Sequence, residues 1–175
     1  MNSVKHMRIF PGNTLERSNM ADQDAQARWE NLLEAEREFF RARRQVVKFG
    51  DSLFSLICRA LQIPSERGTA LRLLLVVDVT QRMLHFSELV RLASIGHADV
   101  DLCREVIRSI PDYWVESNLK VEILPILDGG GSEEYRRLAE LLVELNSQLL
   151  NDLVEMALNS DDEDINEVGN DFRRF

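Results

Sequence analysis

From Ala21 to Phe49 the apolar residues fall in pairs seven positions apart: Leu32/Leu33, Phe39/Phe40 and Val46/Val47, with Trp29 one turn upstream. Seven residues are close to two helical turns, so the pairs predict one stripe along one long amphipathic helix. Glu36 and Arg43 occupy the stripe between the pairs, so a full coiled-coil seam is not predicted. Gly50 and Asp51 read as a helix stop followed by a helix start.

Beyond Asp51 the pattern repeats. Four segments share a plan of apolar helix, short polar turn and second amphipathic helix. They are "SLFSLICRALQ", turn "IPSERG", helix "TALRLLLVVDV"; then "SELVRLASI", turn "GHADV", helix "DLCREVIRSI". The third is "YWVESNLKVEILPIL", turn "DGGGS", helix "EEYRRLAELLVEL", and the fourth "SQLLNDLVEMAL", turn "NSDDE", helix "DINEVGNDF". Aligning the start of each second helix on Leu71, Leu102, Tyr135 and Ile165 gives spacings of 31, 33 and 30 residues. Asp101, Glu134 and Asp164 precede the last three, where an acid favours the positive end of a helix dipole. No strand-like alternation is sustained. Each pair is too small to bury its own apolar face, so neighbouring pairs must stack.

A helix–turn–helix unit of this length with an acidic turn resembles HEAT repeats. Members of that family often carry a proline inside the first helix, and "ILPIL" with Pro125 matches this. They often carry an arginine just inside the second helix; Arg72 and Arg136 match, whereas Cys103 and Asn166 do not. The resemblance covers Asp51 to Phe172. It implies an all-α fold, a short α-solenoid of about four HEAT-like helical pairs with a long N-terminal helix. It also implies a scaffold or adaptor for protein partners, because HEAT-like solenoids mostly serve so. The organisation expected is a disordered N-terminal arm over 1–20, the long helix over 21–49 and the repeat domain over 51–175. The last repeat lacks an evident polar capping helix. Either that helix is itself the cap, or a partner or a second copy covers the open C-terminal end.

Composition sharpens the functional classes. The 175 residues suffice for one domain with a sizeable core. The net charge of -9 argues against a free-standing nucleic-acid binder, though not against a local basic face. The longest apolar run, "LRLLLVV", is broken by Arg72 and closed by Asp78, far short of a bilayer span. No membrane role is expected and the cytoplasm is the default location. Cys58 and Cys103 sit in apolar helical patterns and read as buried free thiols.

Candidate chemistry is sparse. "SDDEDINEVGND" starts like a calcium loop, with Asp162, Asp164 and Asn166 at alternate positions. Position 6 is Glu167 and position 12 is Arg173, so the required glycine and bidentate glutamate are missing. The acids are expected to start the last helix. His97 lies six residues before Cys103, which matches no metal spacing, and a thiol on an apolar face is a poor nucleophile. "DGGGS" follows a helix and lacks the lysine of a phosphate loop. Tyr113 and Trp114 are expected to be repeat-packing aromatics. No catalytic residue, metal or cofactor is assigned.

Two sets of cations are candidates for partner binding. Arg41, Arg43, Arg44 and Lys48 line the polar side of the long helix. Arg72, Arg104, Arg136 and Arg137 are expected to face outward from an inner surface built by the second helices. The leading expectation is a non-catalytic adaptor within a protein complex. The alternative is a small subunit of a nucleoprotein complex that contacts phosphates through the Arg41–Lys48 strip. A third class, a HEAT-like base glycosylase, needs a positive concave face rich in aromatics, and this chain is acidic with few of them.

Overall fold

The computed structural model describes residues 13–175, with side chains from residue 22 onward except that of Asp51. Every regular element among them is α-helical. The chain divides into two compact units, Met1–Lys48 and Phe49–Phe175.

The described part of the first unit is α1 (Asn13–Val47). It begins at Asn13, inside the segment expected to be an arm, because Leu15, Glu16, Arg17 and Met20 are good helix formers. The rest of that expected arm, residues 1–12, lies outside the described residues. The helix ends as expected: Gly50 takes a positive φ of 53°, which L-residues with side chains avoid.

The second unit contains α2 (Asp51–Gln62), α3 (Pro64–Leu74), α4 (Val79–Leu84), α5 (Phe86–Ala93) and α6 (Val100–Arg108). It continues with α7 (Asp112–Gly129), α8 (Ser132–Glu144), α9 (Leu149–Leu158) and α10 (Glu163–Phe172). Helices α2/α3, α5/α6, α7/α8 and α9/α10 pack as pairs. Between successive pairs α5 lies on α7 and α8, α3 on α6, and α8 on both α9 and α10. The core follows the apolar stripes of both helix sets, with Ile57, Leu61, Leu71, Leu89, Ile107, Leu119, Leu138 and Leu142 almost fully buried. Each such side chain contributes about 1.5–3 kcal/mol relative to an exposed one.

Two boundaries depart from the sequence expectation. Helix α3 starts at Pro64, not at Thr69, so the expected "IPSERG" turn shrinks to Ile63. Proline fixes the φ of a first helical residue and holds the preceding residue extended, and Ile63 sits at φ -100°, ψ 111°. Leu71 is therefore deep in its helix and not at its start. Helix α4 was not expected; Asp78 caps it, its carboxylate accepting from the Thr80 N–H at 2.8 Å.

The remaining turns follow the sequence. Asn146 closes α8 with a positive φ of 50°, while the Ser147 N–H reaches back to the Leu142 carbonyl at 3.0 Å. Helix α7 runs through Pro125; the Val121 carbonyl that loses its intrahelical donor belongs to an exposed residue, where water can serve it. Asp162 caps α10, its Oδ1 accepting from the N–H groups of Asp164 (2.9 Å) and Ile165 (3.3 Å). The calcium-loop lookalike is a helix start. The outward positions of α10 are Glu163, Asp164, Glu167, Asn170 and Asp171, so this helix presents a polar face. Its inner face carries Gly169, pressed against Ala157 and Leu158 of α9.

Candidate functional site

Of the second-helix arginines singled out in the sequence, Arg72 is exposed and Arg136 and Arg137 are half-buried. Arg104 is buried at 5% exposure, contrary to expectation. Its Nη1 donates to Glu144 Oε1 at 3.0 Å, and its Nη2 to Glu140 Oε2 at 2.7 Å and to the Arg137 carbonyl at 3.1 Å. Arg104 thus clips α6 to α8. Arg108 reinforces this clip through Glu144. Arg137 pairs with Glu140 at 3.1 Å, and Arg136 reaches Asp171 of α10 at 2.8 Å. The Arg104, Arg108 and Arg136 pairs link helices of successive pairs, whereas the Arg137–Glu140 pair lies within α8. Burial alone would raise the Glu140 carboxyl; hydrogen bonds from Arg104 and Arg137 outweigh it and hold the group below its ordinary value. Arg72 is exposed and has no ion pair among the described residues.

Other polar contacts have the same role. Lys120 of α7 pairs with Asp152 of α9 at 2.8 Å. The Gly96 N–H in the α5–α6 turn donates to Glu133 of α8 at 2.9 Å. Arg82 ties α4 to the end of α6 by donating to the Ser109 carbonyl at 2.9 Å.

Exposed large apolar side chains are distributed unevenly. None lies on α3, α6, α8 or α10 among the described residues. In the second unit they lie on α2 (Phe54, Leu56), α4 (Leu84), α7 (Tyr113, Val121, Leu124) and α9 (Met156), and at Phe49, Val76 and Phe175 outside the helices. Tyr113 is 73% exposed, which corrects its expected packing role, while Trp114 packs edge-on against Phe86 at 5.1 Å.

Helix α1 holds the densest set. Trp29, Leu32, Phe39, Phe40 and Val47 are all exposed, with Trp29 and Phe40 at 55%. Arg43 lies over the Phe39 ring at 4.6 Å from its centroid and over Phe40 at 5.6 Å, so it belongs to the apolar stripe and not to a basic strip. Arg41, Arg44 and Lys48 are exposed on the other side of the helix, with no ion pair among the described residues.

Cys58, His85, His97 and Cys103 are buried or half-buried within the helical body. Burial pushes the Cys103 thiol up to about 12, so it stays protonated at neutral pH. Both ring nitrogens of His97 are engaged: its Nδ1 accepts from the Asp99 N–H at 3.1 Å, so its Nε2–H donates to the Leu92 carbonyl at 2.9 Å. The contact that sequence reasoning missed is Cys58 Sγ to His85 Nδ1, 3.5 Å apart and 27 residues distant in the chain. His85 is 2% exposed, stacks on Phe54 at 4.8 Å and leaves its Nε2 without a partner. Only "C58…H85" in an apolar context could have signalled it, which is no motif. Burial, and secondarily Glu88, also raises the Cys58 thiol, so this pair is a neutral thiol beside a neutral imidazole.

A pH dependence follows. Burial lowers the His85 value against the opposing pull of Glu88, and burial likewise lowers His97. As pH falls below the ordinary 6.5 the unfolded chain gains protons that the folded chain refuses, so stability falls with pH there. Urea unfolding at successive pH values should show this loss, and His85→Phe should shrink it while leaving the His97 share.

Comparisons with family models, with curated proteins and with solved structures each found no match. Among the described residues, no three of His, Cys, Asp and Glu come together as a metal-holding group, and no helix is long and apolar enough to cross a membrane.

Proposed function

We propose that the chain is a non-catalytic, cytoplasmic interaction scaffold. Its four helical pairs stack as a short HEAT-like solenoid, and α1 presents the surface that a protein partner recognises. One observation carries this reading: the exposed Trp29, Leu32, Phe39, Phe40 and Val47 on a single stripe. Aromatic residues dominate the energetics of protein interfaces, and contiguous exposed apolar surface on a soluble chain marks such sites. The reading shifts the binding surface from the second helices to α1, because Arg104, Arg136 and Arg137 are engaged within the body.

Phe39→Ser with Phe40→Ser tests this reading. The expected result is an unchanged urea midpoint for the helical body, with loss of partners captured by the intact chain from native extract. A lowered midpoint, or capture that survives, would count against it.

The nucleoprotein reading keeps one favourable observation. Residues 39–48 contain Arg41, Arg43, Arg44 and Lys48 and no acid. Fluorescence anisotropy with oligonucleotides at low salt decides it: salt-dependent binding, abolished by charge reversal at Arg41, Arg43 and Arg44, would support it. Absence of binding at low salt would remove it.

A further inference from the structure

The stripe on α1 has a symmetry that points to its occupant. From Leu32 to Val47, numbered outward from the midpoint between Phe39 and Phe40, it reads the same in kind in both directions. Phe39 mirrors Phe40, Glu36 mirrors Arg43, Leu33 mirrors Val46 and Leu32 mirrors Val47. Within Leu32–Val47 every apolar stripe position has an apolar mirror and the one acid has the one base; Trp29, whose mirror is Gly50, lies outside this symmetric span. We infer that α1 pairs antiparallel with α1 of a second copy of this chain, about a two-fold axis at that midpoint.

Charge fixes the direction. Toward the N-terminus of the stripe lie Asp22, Asp24, Glu30, Glu34, Glu36 and Glu38, against Arg28 and Arg37. Toward the C-terminus lie Arg41, Arg43, Arg44 and Lys48 without an acid up to residue 48. An antiparallel pair lays the acidic half of each helix on the basic half of the other. Within the seam it sets Glu36 beside Arg43 of the second copy, twice over. A parallel pair would oppose Glu36 to Glu36 and Arg43 to Arg43 at the most crowded positions, where like charges repel and select against that register. Glu36 and Arg43 are then the specificity device of the seam and not flaws in it. The rings of Phe39 and Phe40 already hold the Arg43 guanidinium against the stripe, ready to meet the opposing carboxylate.

From Leu32 to Val47 the seam spans about 23 Å at the helical rise. A two-fold interface of this kind uses the same patch on both copies, as an isologous contact must. The pairing rests on the reading of α1 as a recognition surface, with the second copy as the partner that fills it, and not on how the helical body stacks.

Sedimentation velocity on the full chain over a concentration series tests the inference. The chain should be a dimer at micromolar concentration. Glu36→Arg alone places four arginines in the seam, and Arg43→Glu alone places four glutamates there; each should weaken the dimer about tenfold or more. The double variant Glu36→Arg/Arg43→Glu restores both pairs and should return the dimer to near wild-type affinity. Far-UV circular dichroism on each variant confirms that the body is folded. Phe39→Ser with Phe40→Ser should give a monomer. A wild-type chain that stays monomeric at high micromolar concentration, its stripe covered by its own body, would overturn the inference. So would single variants that associate as tightly as wild type, a double variant that fails to recover, or a dimer that survives loss of both phenylalanines.

Discussion

Replacing Glu140 and Glu144 together by alanine should lower the unfolding free energy of the helical body by about 3–5 kcal/mol, because it leaves a buried cation without a counter-charge. Arg104 lies inside, with only 7% of its side chain exposed, while its two carboxylate partners are 30% and 29% exposed. The asymmetry makes the two ends of the clip unequal. Without the acids, Arg104 retains only the Arg137 carbonyl, and its Nε already lacks a partner. Without Arg104, Glu140 keeps Arg137, Glu144 keeps Arg108, and both reach water. Arg104→Met should therefore cost less than the double acid variant, since it removes the desolvated charge together with the clip. Urea denaturation followed by circular dichroism ranks the two. Acid should mimic the loss. Glu140 is held below its ordinary carboxyl value, so its contribution is complete at neutral pH. It is lost as pH falls from that ordinary value through the lowered one.

Gly169→Leu should destabilise the chain by about 2–3 kcal/mol, through overpacking between α9 and α10. A Cβ at this position would lie 3.0 Å from the Leu158 backbone nitrogen and from Leu158 Cγ, and 3.1 Å from Ala157 Cβ. A backbone atom cannot step aside as a side-chain tip can, so α10 would have to move off α9. Gly169→Ala should be milder, because alanine gains about 1 kcal/mol of helix propensity over glycine and so offsets part of the clash. Thermal unfolding of the two variants should separate them in that order. Equal midpoints for Gly169→Leu and wild type would show that the helices are not in close contact there.

The two results concern residues that the sequence presents very differently. Gly169 looks like a defect in a helical pattern, and only the approach of α9 explains it. Arg104 looks like one more surface arginine on an amphipathic helix. Its burial depends on Glu140 and Glu144, 36 and 40 residues away, and no local pattern encodes that distance. The helices themselves were legible because apolar residues recur at helical spacing and turn residues punctuate them. Asp162 as a cap, Gly50 as a stop and the pairing of α7 with α8 all follow from local rules. Pro64 also had a local meaning, as a first helical residue, but the charged "SER" that follows it reads equally well as a turn. The short α4 has too few residues to show a period. On α1 the stripe was visible and the interruption by Glu36 and Arg43 was visible too. That its apolar side chains are exposed and that Arg43 lies on the phenylalanines could be read only from the structure.

A body closed by its own ion pairs and a helix that offers an unfilled apolar stripe should respond differently to dilution. Hydrogen exchange on the intact chain, read by mass spectrometry at high and at low protein concentration, separates the two. The slow amides of α2, α3 and α5–α10 should keep the same protection at both concentrations, while those of α1 from Trp29 to Val47 should exchange faster on dilution. Protection of α1 that does not change with concentration, or loss of protection in the body on dilution, would contradict the account.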